Sequence, residues 1–413
     1  MPKHVVVVGG GVVGAFTAWY LAEFGHRVTL IDRGRFGRGA SHGNCGYVSP
    51  SHVIPLARSG QVINGLRGLF TRQTALRIEP TRLHLLAPWL LRFAMRCYPR
   101  SMMEAGRACH PLLTSSAALY RDLIARLNLA VEWRADGLLF VFRDQRHFDH
   151  YAATDAWLRT HFDTPAEPLA GPALTAFEPA LKPGLAGAWL YRCDAQLHPG
   201  RLMAELRRVL VEAGVTIREE TAFESFVPRG GRAAAAATTA GAVDADDFVV
   251  ATGAWTPLLH REVGVRLPIQ PGKGYSITMR SPALRPRLPM ILEECHVAIT
   301  PLDTAYRIGS TMEFTGYDAS LDRRRLDYLR RGAAEYLVEP TAEPVEEEWC
   351  GWRPMTPDGI PYIDRSPRFD NVWLAAGHSM LGISMGAGTG RLVAELVSGR
   401  SPHLDPAAYR IRR

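Results

Sequence analysis

The stretch HVVVVGGGVVGAFTAWYLAEFGHRVTLID, His4 to Asp32, decides how this chain folds. His4–Val8 is a short β-branched run, the composition of a strand buried on both faces. It enters Gly9-Gly10-Gly11-Val12-Val13-Gly14, which satisfies G-x-G-x-x-G at Gly9, Gly11 and Gly14. Ala15–Phe24 then reads as a helix that Gly25 can end. Arg27–Ile31 reads as a second strand finishing at Asp32, which completes a βαβ unit. Gly9 permits the tight turn, Gly11 lets the backbone approach a pyrophosphate, and Gly14 lets helix and strand pack closely. The helix N-terminus at Val12 and Val13 presents N–H groups and partial positive charge to phosphates. Asp32, followed by Arg33, stands where a ribose diol would donate hydrogen bonds, and its charge disfavours a 2′-phosphate. These residues leave both FAD and NAD open.

Outward from Asp32, an NAD enzyme usually proceeds into another crossover helix. Here Arg33–Pro50 is instead a glycine-rich loop, with Gly34, Gly37, Gly39, Gly43 and Gly46. Such a loop can pass close to an extended ligand. Ser41, Asn44 and the amides near Gly46 are candidates to contact a pyrophosphate and a flavin edge; an ordinary loop is the competing reading. His52 follows in Ser49-Pro50-Ser51-His52.

The whole chain bounds these readings. Its 413 residues exceed what one core usually organises, so two domains are expected. Hydrophobic residues at 47% and charged residues at 22% exclude disordered, collagen-like and coiled-coil classes. The net charge of +7 is nearly all arginine, since lysine occurs only at Lys3, Lys182 and Lys273. That excess favours anionic partners without choosing among them. Six cysteines without a CxxC pair argue against disulfide, zinc and iron–sulfur scaffolds. No run approaches the ~20 apolar residues that cross a bilayer, and the N-terminus lacks a secretory n-region. A cytoplasmic location is expected.

Gln61–Tyr120 is helical in character, and Arg67–Arg100 mixes arginines with Leu, Trp and Phe. That segment fits either a basic amphipathic surface on an anionic bilayer or helices packed on the body of the protein. Trp133–Phe142 suggests a strand pair turning at Ala135-Asp136-Gly137. Arg201–Ala213 is an amphipathic helix capped by Gly214, and Ala233–Ala237 suggests a hairpin without function. Asp247–Ala251 leads into Thr252-Gly253, a second turn suited to close ligand approach. Lys273-Gly274-Tyr275-Ser276-Ile277-Thr278 opens another β-rich region. Lys273 reads as a surface charge, and Tyr275 as a pocket residue with an apolar face and a hydrogen bond to offer. Arg353 lies in a turn-rich stretch, where it is either a surface turn or a carboxylate receptor with a planar fork. Asn371–Ala376 is a strand, and Gly377–Gly390 a second glycine-rich turn before a helix over Arg391–Val397. That turn suits a helix N-terminus aimed at a flavin pyrimidine.

Taken together, these segments resemble the D-amino-acid oxidase/glycine oxidase superfamily of FAD enzymes, and most closely its bacterial D-amino-acid dehydrogenases. Ser49–Pro55 and Met380–Met385 are similar to a branch associated with D-proline or cis-4-hydroxy-D-proline oxidation. The resemblance implies an α/β fold: a Rossmann-like FAD-binding domain in discontinuous segments (1–60, 191–258 and 346–413). The α+β substrate-binding domain, with an antiparallel sheet, takes 61–190 and 259–345. It also implies that Arg353 pairs with the substrate carboxylate, that the backbone of Phe223 touches the adenine, and that Gly382, Ile383 and Ser384 lie beneath the flavin pyrimidine. Met380 stands where glycine-oxidase-like members can carry a second arginine, which makes this pocket more apolar. Related sarcosine oxidases attach flavin through a cysteine close to Cys350. Here the spacing to Thr356 and Asp358 is one residue longer, so noncovalent FAD is expected.

The implied reaction is hydride transfer from a D-amino acid to flavin N5, with the electrons passed to a quinone or other acceptor. Tyr275 and His52 would line the pocket or order water. Nucleic acid is not an expected partner; contact with the inner face of the cell membrane is left open beside a wholly cytoplasmic location. The alternatives are a sarcosine- or glycine-type oxidase using oxygen, a flavin subunit of a membrane electron-transfer complex and, more distantly, an NAD dehydrogenase.

Overall fold

The computed structural model describes residues 1–57 and 75–412. The strand β1 (His4–Val8), the helix α1 (Val12–Glu23) and the strand β2 (Arg27–Ile31) form the expected βαβ unit. Alternation along β1 explains its apolar run. Val5 and Val7 enter the core beneath α1, while Val6 and Val8 enter a second core behind the sheet with Phe226 and Phe248. A strand with no solvent face has no use for a polar residue.

β1 is central in a six-stranded sheet whose order is Tyr362–Arg365, Val372–Ala376, Asp247–Val250, β1, β2, Thr216–Arg218. All neighbours are parallel except the edge strand Tyr362–Arg365. The chain leaves β1 toward β2 on one side and adds Asp247–Val250 on the other. The C-terminal end of β1 is therefore a topological switch point, where open α/β sheets bind ligands.

The larger sheet has nine strands. Its main path runs Val345–Met355, Gln270–Met279, Tyr306–Phe314, Val297–Pro301, Met290–Leu292, Leu138–Phe142, Gly187–Tyr191, Glu167–Ala170, and Leu76–Ile78 pairs with Tyr306–Phe314. It is antiparallel except at Met290–Leu292 beside Leu138–Phe142 and at the Leu76–Ile78 pairing. A short ladder, Tyr47↔Gln196 and Val48↔Ala195, stands apart from both sheets.

Ala233–Ala237 lies in a hairpin as expected, pairing antiparallel with Phe223–Arg229 and also with Gly241–Asp244, and Ala233 and Ala236 pack in the core behind β1. Three local expectations change. Trp133–Phe142 holds one strand, Leu138–Phe142, and Arg134 makes an isolated bridge to Gln196 in place of the expected hairpin partner. Arg353 sits inside the long strand Val345–Met355 instead of a turn.

The terminal helix is Gly382–Ser398 and starts nine residues earlier than expected. A β-carbon on Gly390 would lie 2.5 Å from the Phe16 β-carbon, and one on Gly388 would lie 3.0 Å from the Leu112 carbonyl oxygen. Those glycines are helical and allow close approach to α1 and to the helix Pro99–Arg126.

Of the predicted helical region, Leu83–Ala94 and Pro99–Arg126 are helices. Its part before residue 75, and the expected 60/61 domain boundary, lie outside the described residues. Leu83–Ala94 buries Leu86 and Trp89 and exposes Leu85 and Leu91. No described helix is long and apolar enough to cross a membrane.

Candidate active site

A cleft of about 1260 Å³ runs from Asp32, past the start of α1, to the start of the terminal helix and the face of the larger sheet. Its first wall is the glycine turn. Gly9 has φ +114°, and a β-carbon there would lie 2.5 Å from the Ala251 carbonyl oxygen. Gly14 does not line the cleft; its β-carbon would fall 1.9 Å from the Gly9 carbonyl oxygen, so its absence closes helix onto strand. Gly11, Val12 and Val13 line the cleft, and the Val12 amide donates to Ser41 Oγ at 3.0 Å. Ser41 thereby fastens the following loop to the helix N-terminus.

Asp32 accepts from the amides of Gly10 at 2.7 Å and Gly34 at 2.8 Å. Burial raises its carboxyl while these bonds oppose the rise. The Arg33 guanidinium lies 4.0 Å above the Trp255 ring, a cation–π contact that closes this end. Phe223, Thr252 and Gly253 line the same region. Gly253 has φ +55° with open space where a β-carbon would point.

The loop expected at a flavin edge is held by a residue that the sequence did not single out. Arg307 is buried and donates to the carbonyls of His42 and Asn44 and to Thr278 Oγ1. Asn44 turns its side chain inward, accepting from the Gly46 amide at 2.7 Å. Gly46 stands outside the cleft lining; its φ of +79° and a Leu197 oxygen 2.0 Å from the β-carbon position require glycine. Gly382, Ile383 and Ser384 form the opposite end of the cleft. Ser384 Oγ donates to the Tyr47 carbonyl and accepts from the Ser49 amide. His378 is buried against Thr389 and pushed down to about 3, hence neutral.

Arg353 reaches the cleft from the larger sheet. Its guanidinium covers Gly274, where a β-carbon would meet Nη1 at 2.1 Å, and Nη1 donates to the Thr311 carbonyl at 2.6 Å. Ser310 and Thr311 hold positive φ values of 115° and 56°, which turn their carbonyls toward it. Among the described residues no carboxylate forms an ion pair with Arg353, although burial lowers its pKa. A half-buried cation served only by carbonyls retains the capacity to take an anion.

Two candidates behave differently. His52 lines the cleft with its ring 5.4 Å from Phe140, and burial pushes it down to about 4. Tyr275 does not line the cleft: its side chain alternates into the larger sheet's other core, and its hydroxyl donates to Glu313 at 2.7 Å. Lys273 is also a correction, being 1% exposed and bonded to the Ser320 carbonyl. Met380 is 39% exposed at the cleft wall. Cys350 lines it too, half-buried, with its thiol raised by burial and directed at the Ala319 carbonyl.

The residues fit FAD. The glycine cradle that a β-carbon would fill, the braced Asp32 and the two helix N-termini at either end match a long dinucleotide with a charged middle.

Residues 4–396 match the family model described as FAD dependent oxidoreductase. The chain is 33% identical to a protein named D-amino acid dehydrogenase from Agrobacterium fabrum, across 99% of both chains. Glycine oxidase from Geobacillus kaustophilus superposes with a TM-score of 0.79 at 25% identity, covering 100% of this chain and 99% of that one. Glycine oxidase from Bacillus cereus does so at 0.80 and 20% identity, with the same coverage.

Proposed function

Because this chain belongs to the FAD-dependent oxidoreductase family, we propose that it dehydrogenates a D-amino or imino acid at the α-carbon, with D-proline or cis-4-hydroxy-D-proline as the substrate. The observation that carries this reading is Arg353, a cleft-lining cation with carbonyl partners alone. FAD, when bound, takes up the hydride released from the α-carbon. Arg353 holds the carboxylate through its fork and so fixes the α-carbon relative to the cleft wall. His52, neutral above about pH 4, offers an uncharged wall and a site for ordered water. Orientation is most of what such chemistry asks of the protein. The substrate loses a hydride and a proton; a primary amine gives an imine that water converts to a 2-oxo acid and ammonia, and a cyclic amine gives a pyrroline carboxylate.

Met380 makes the adjoining wall apolar, which suits a ring or alkyl side chain. The protonated Cys350 thiol supports noncovalent FAD. We assign 1–60, 191–258 and 346–413 to FAD binding, and 61–190 and 259–345 to substrate binding. Electrons leave to a quinone or another acceptor. Exposed Leu85, Leu91 and Met95 beside Arg92 support peripheral contact with an anionic membrane surface.

The test is anaerobic flavin bleaching against a panel of D-amino acids that includes both proposed substrates. Arg353→Met should keep its yellow flavin and lose on the order of 10²-fold or more in kcat/KM, the cost of removing a charge-assisted partner from the substrate carboxylate. Unchanged kinetics would remove Arg353 from the carboxylate site.

A further inference from the structure

Ser49, Ser51 and His52 bring one short segment to the cleft wall. Its anchor is Asp194, a fully buried carboxylate. Oδ1 accepts from the Ser51 amide at 3.0 Å and Oδ2 from the Ser51 hydroxyl at 2.5 Å. The Cys193 thiol adds a 3.5 Å contact to Oδ1. No cation forms an ion pair with Asp194 among the described residues. The segment is tied at its other end by Ser384, and the Val48↔Ala195 pairing joins the two stretches just before Ser49 and just after Asp194. At Ser51 the segment is held by one carboxylate.

Burial without a cation pushes Asp194 up to about 7. The groups around it do not titrate in its place. Cys193 and Tyr191 are both raised by burial, and Tyr191 shares a hydrogen bond with Tyr151. Asp155 is held by Arg159 and the Ala166 amide, and Arg121 acts on Cys193. His52 stays neutral down to about 4.

When Asp194 is ionised, the Ser51 hydroxyl must donate to it, leaving the Ser51 lone pairs as acceptors. When Asp194 is protonated, its new O–H needs an acceptor, and Ser51 Oγ is in place. The bond then reverses and the Ser51 proton turns elsewhere. We propose that Asp194 is a positioning residue for the Ser49–His52 wall, and that its ionised form keeps Ser51 an acceptor toward the N–H of an amino acid substrate. This rests on the proposed reaction only for the identity of that N–H.

The test uses holoenzyme and two variants, Asp194→Asn and Ser51→Ala. Carboxyl-stretch difference infrared spectra taken on either side of neutrality should show a buried acid in the wild type that vanishes in D194N and persists in S51A. The wild-type profile of log kcat/KM should fall on an acidic limb near neutrality. D194N should lose that limb. S51A should lose it too, because the hydroxyl through which the carboxylate acts is gone, and should run about tenfold below the wild-type plateau, while its buried acid, short of one hydrogen bond to the charged form, titrates at higher pH in the infrared. Equal FAD content separates these effects from misfolding. If D194N fails to load FAD, the S51A limb decides. A limb retained in S51A, or no infrared signal in the wild type, overturns the proposal. The infrared signal needs no substrate: its presence without bleaching by any amino acid would refute the proposed reaction and leave the anchor standing.

Discussion

A β-carbon at Gly14 would stand 1.9 Å from the Gly9 carbonyl oxygen, against backbone that has nowhere to go. Gly14→Ala should therefore cost about 1–3 kcal/mol or more through overpacking and lower the flavin-to-protein ratio, read by thermal denaturation and absorbance. This residue was legible because its constraint is local: spacing within one βαβ unit dictates it. Arg307 was not. Its carbonyl partners, His42 and Asn44, lie more than 260 positions away in a loop with no regular structure. Arg307→Met should weaken FAD binding about tenfold or more, since it removes three hydrogen bonds of which two order that loop. A titration of apoprotein with FAD measures it, and equal affinity would show that the loop holds its shape without the clamp. Tyr275 shows the complementary error. Its composition suits a pocket, but the face to which a strand residue points depends on register with neighbouring strands, and this one points at Glu313.

At the scale of elements, the terminal helix carries the clearest lesson. Gly386, Gly388 and Gly390 read in sequence as part of a glycine-rich turn before the helix, yet they lie inside it and form the face that meets α1 and the helix Pro99–Arg126. Glycine costs helix propensity, and that cost is offset where two backbones must approach closely. A β-carbon at Gly390 would lie 2.5 Å from the Phe16 β-carbon and 2.6 Å from its carbonyl carbon. Gly390→Ala should lose about 1–3 kcal/mol despite its better propensity, and a variant with raised Tm would show that the packing can relax. The alanine run Ala233–Ala237 follows a related rule. Its hairpin was legible, but not that Ala233 and Ala236 pack in the core behind β1. In both elements a partner distant in sequence sets the residue size.

For the molecule as a whole, the cleft draws on the beginning, middle and end of the chain: Gly9–Asp32, Phe223 with Thr252 and Gly253, and Gly382–Ser384. The six-stranded sheet has the same mixed origin, with β1 between β2 and Asp247–Val250 and with Val372–Ala376 beyond. Its class was legible from one βαβ unit, but not how the other strands join it, which long-range pairing alone determines. The basic charge resolves similarly. Arg208, Arg330 and Arg126 sit in surface ion pairs, worth little individually, whereas Arg353 is turned inward with carbonyls alone. A ligand that touches all three pieces ties together parts of the chain that enter the fold separately. Binding to the native state alone stabilises by RT ln(1 + [L]/Kd), about 2.7 kcal/mol when FAD is 100-fold above its Kd. Stripping FAD should then lower the melting temperature of the whole molecule, and returning it should raise a single transition in proportion to log[FAD]. ADP should recover only part of the rise, since the proposed assignment gives it the Asp32 and Phe223 end and leaves the Gly382–Ser384 end without its pyrimidine. Calorimetry of apoprotein with each ligand reads both. Two separable transitions, only one of them moved by FAD, would show that the cofactor joins fewer pieces than the cleft lining indicates.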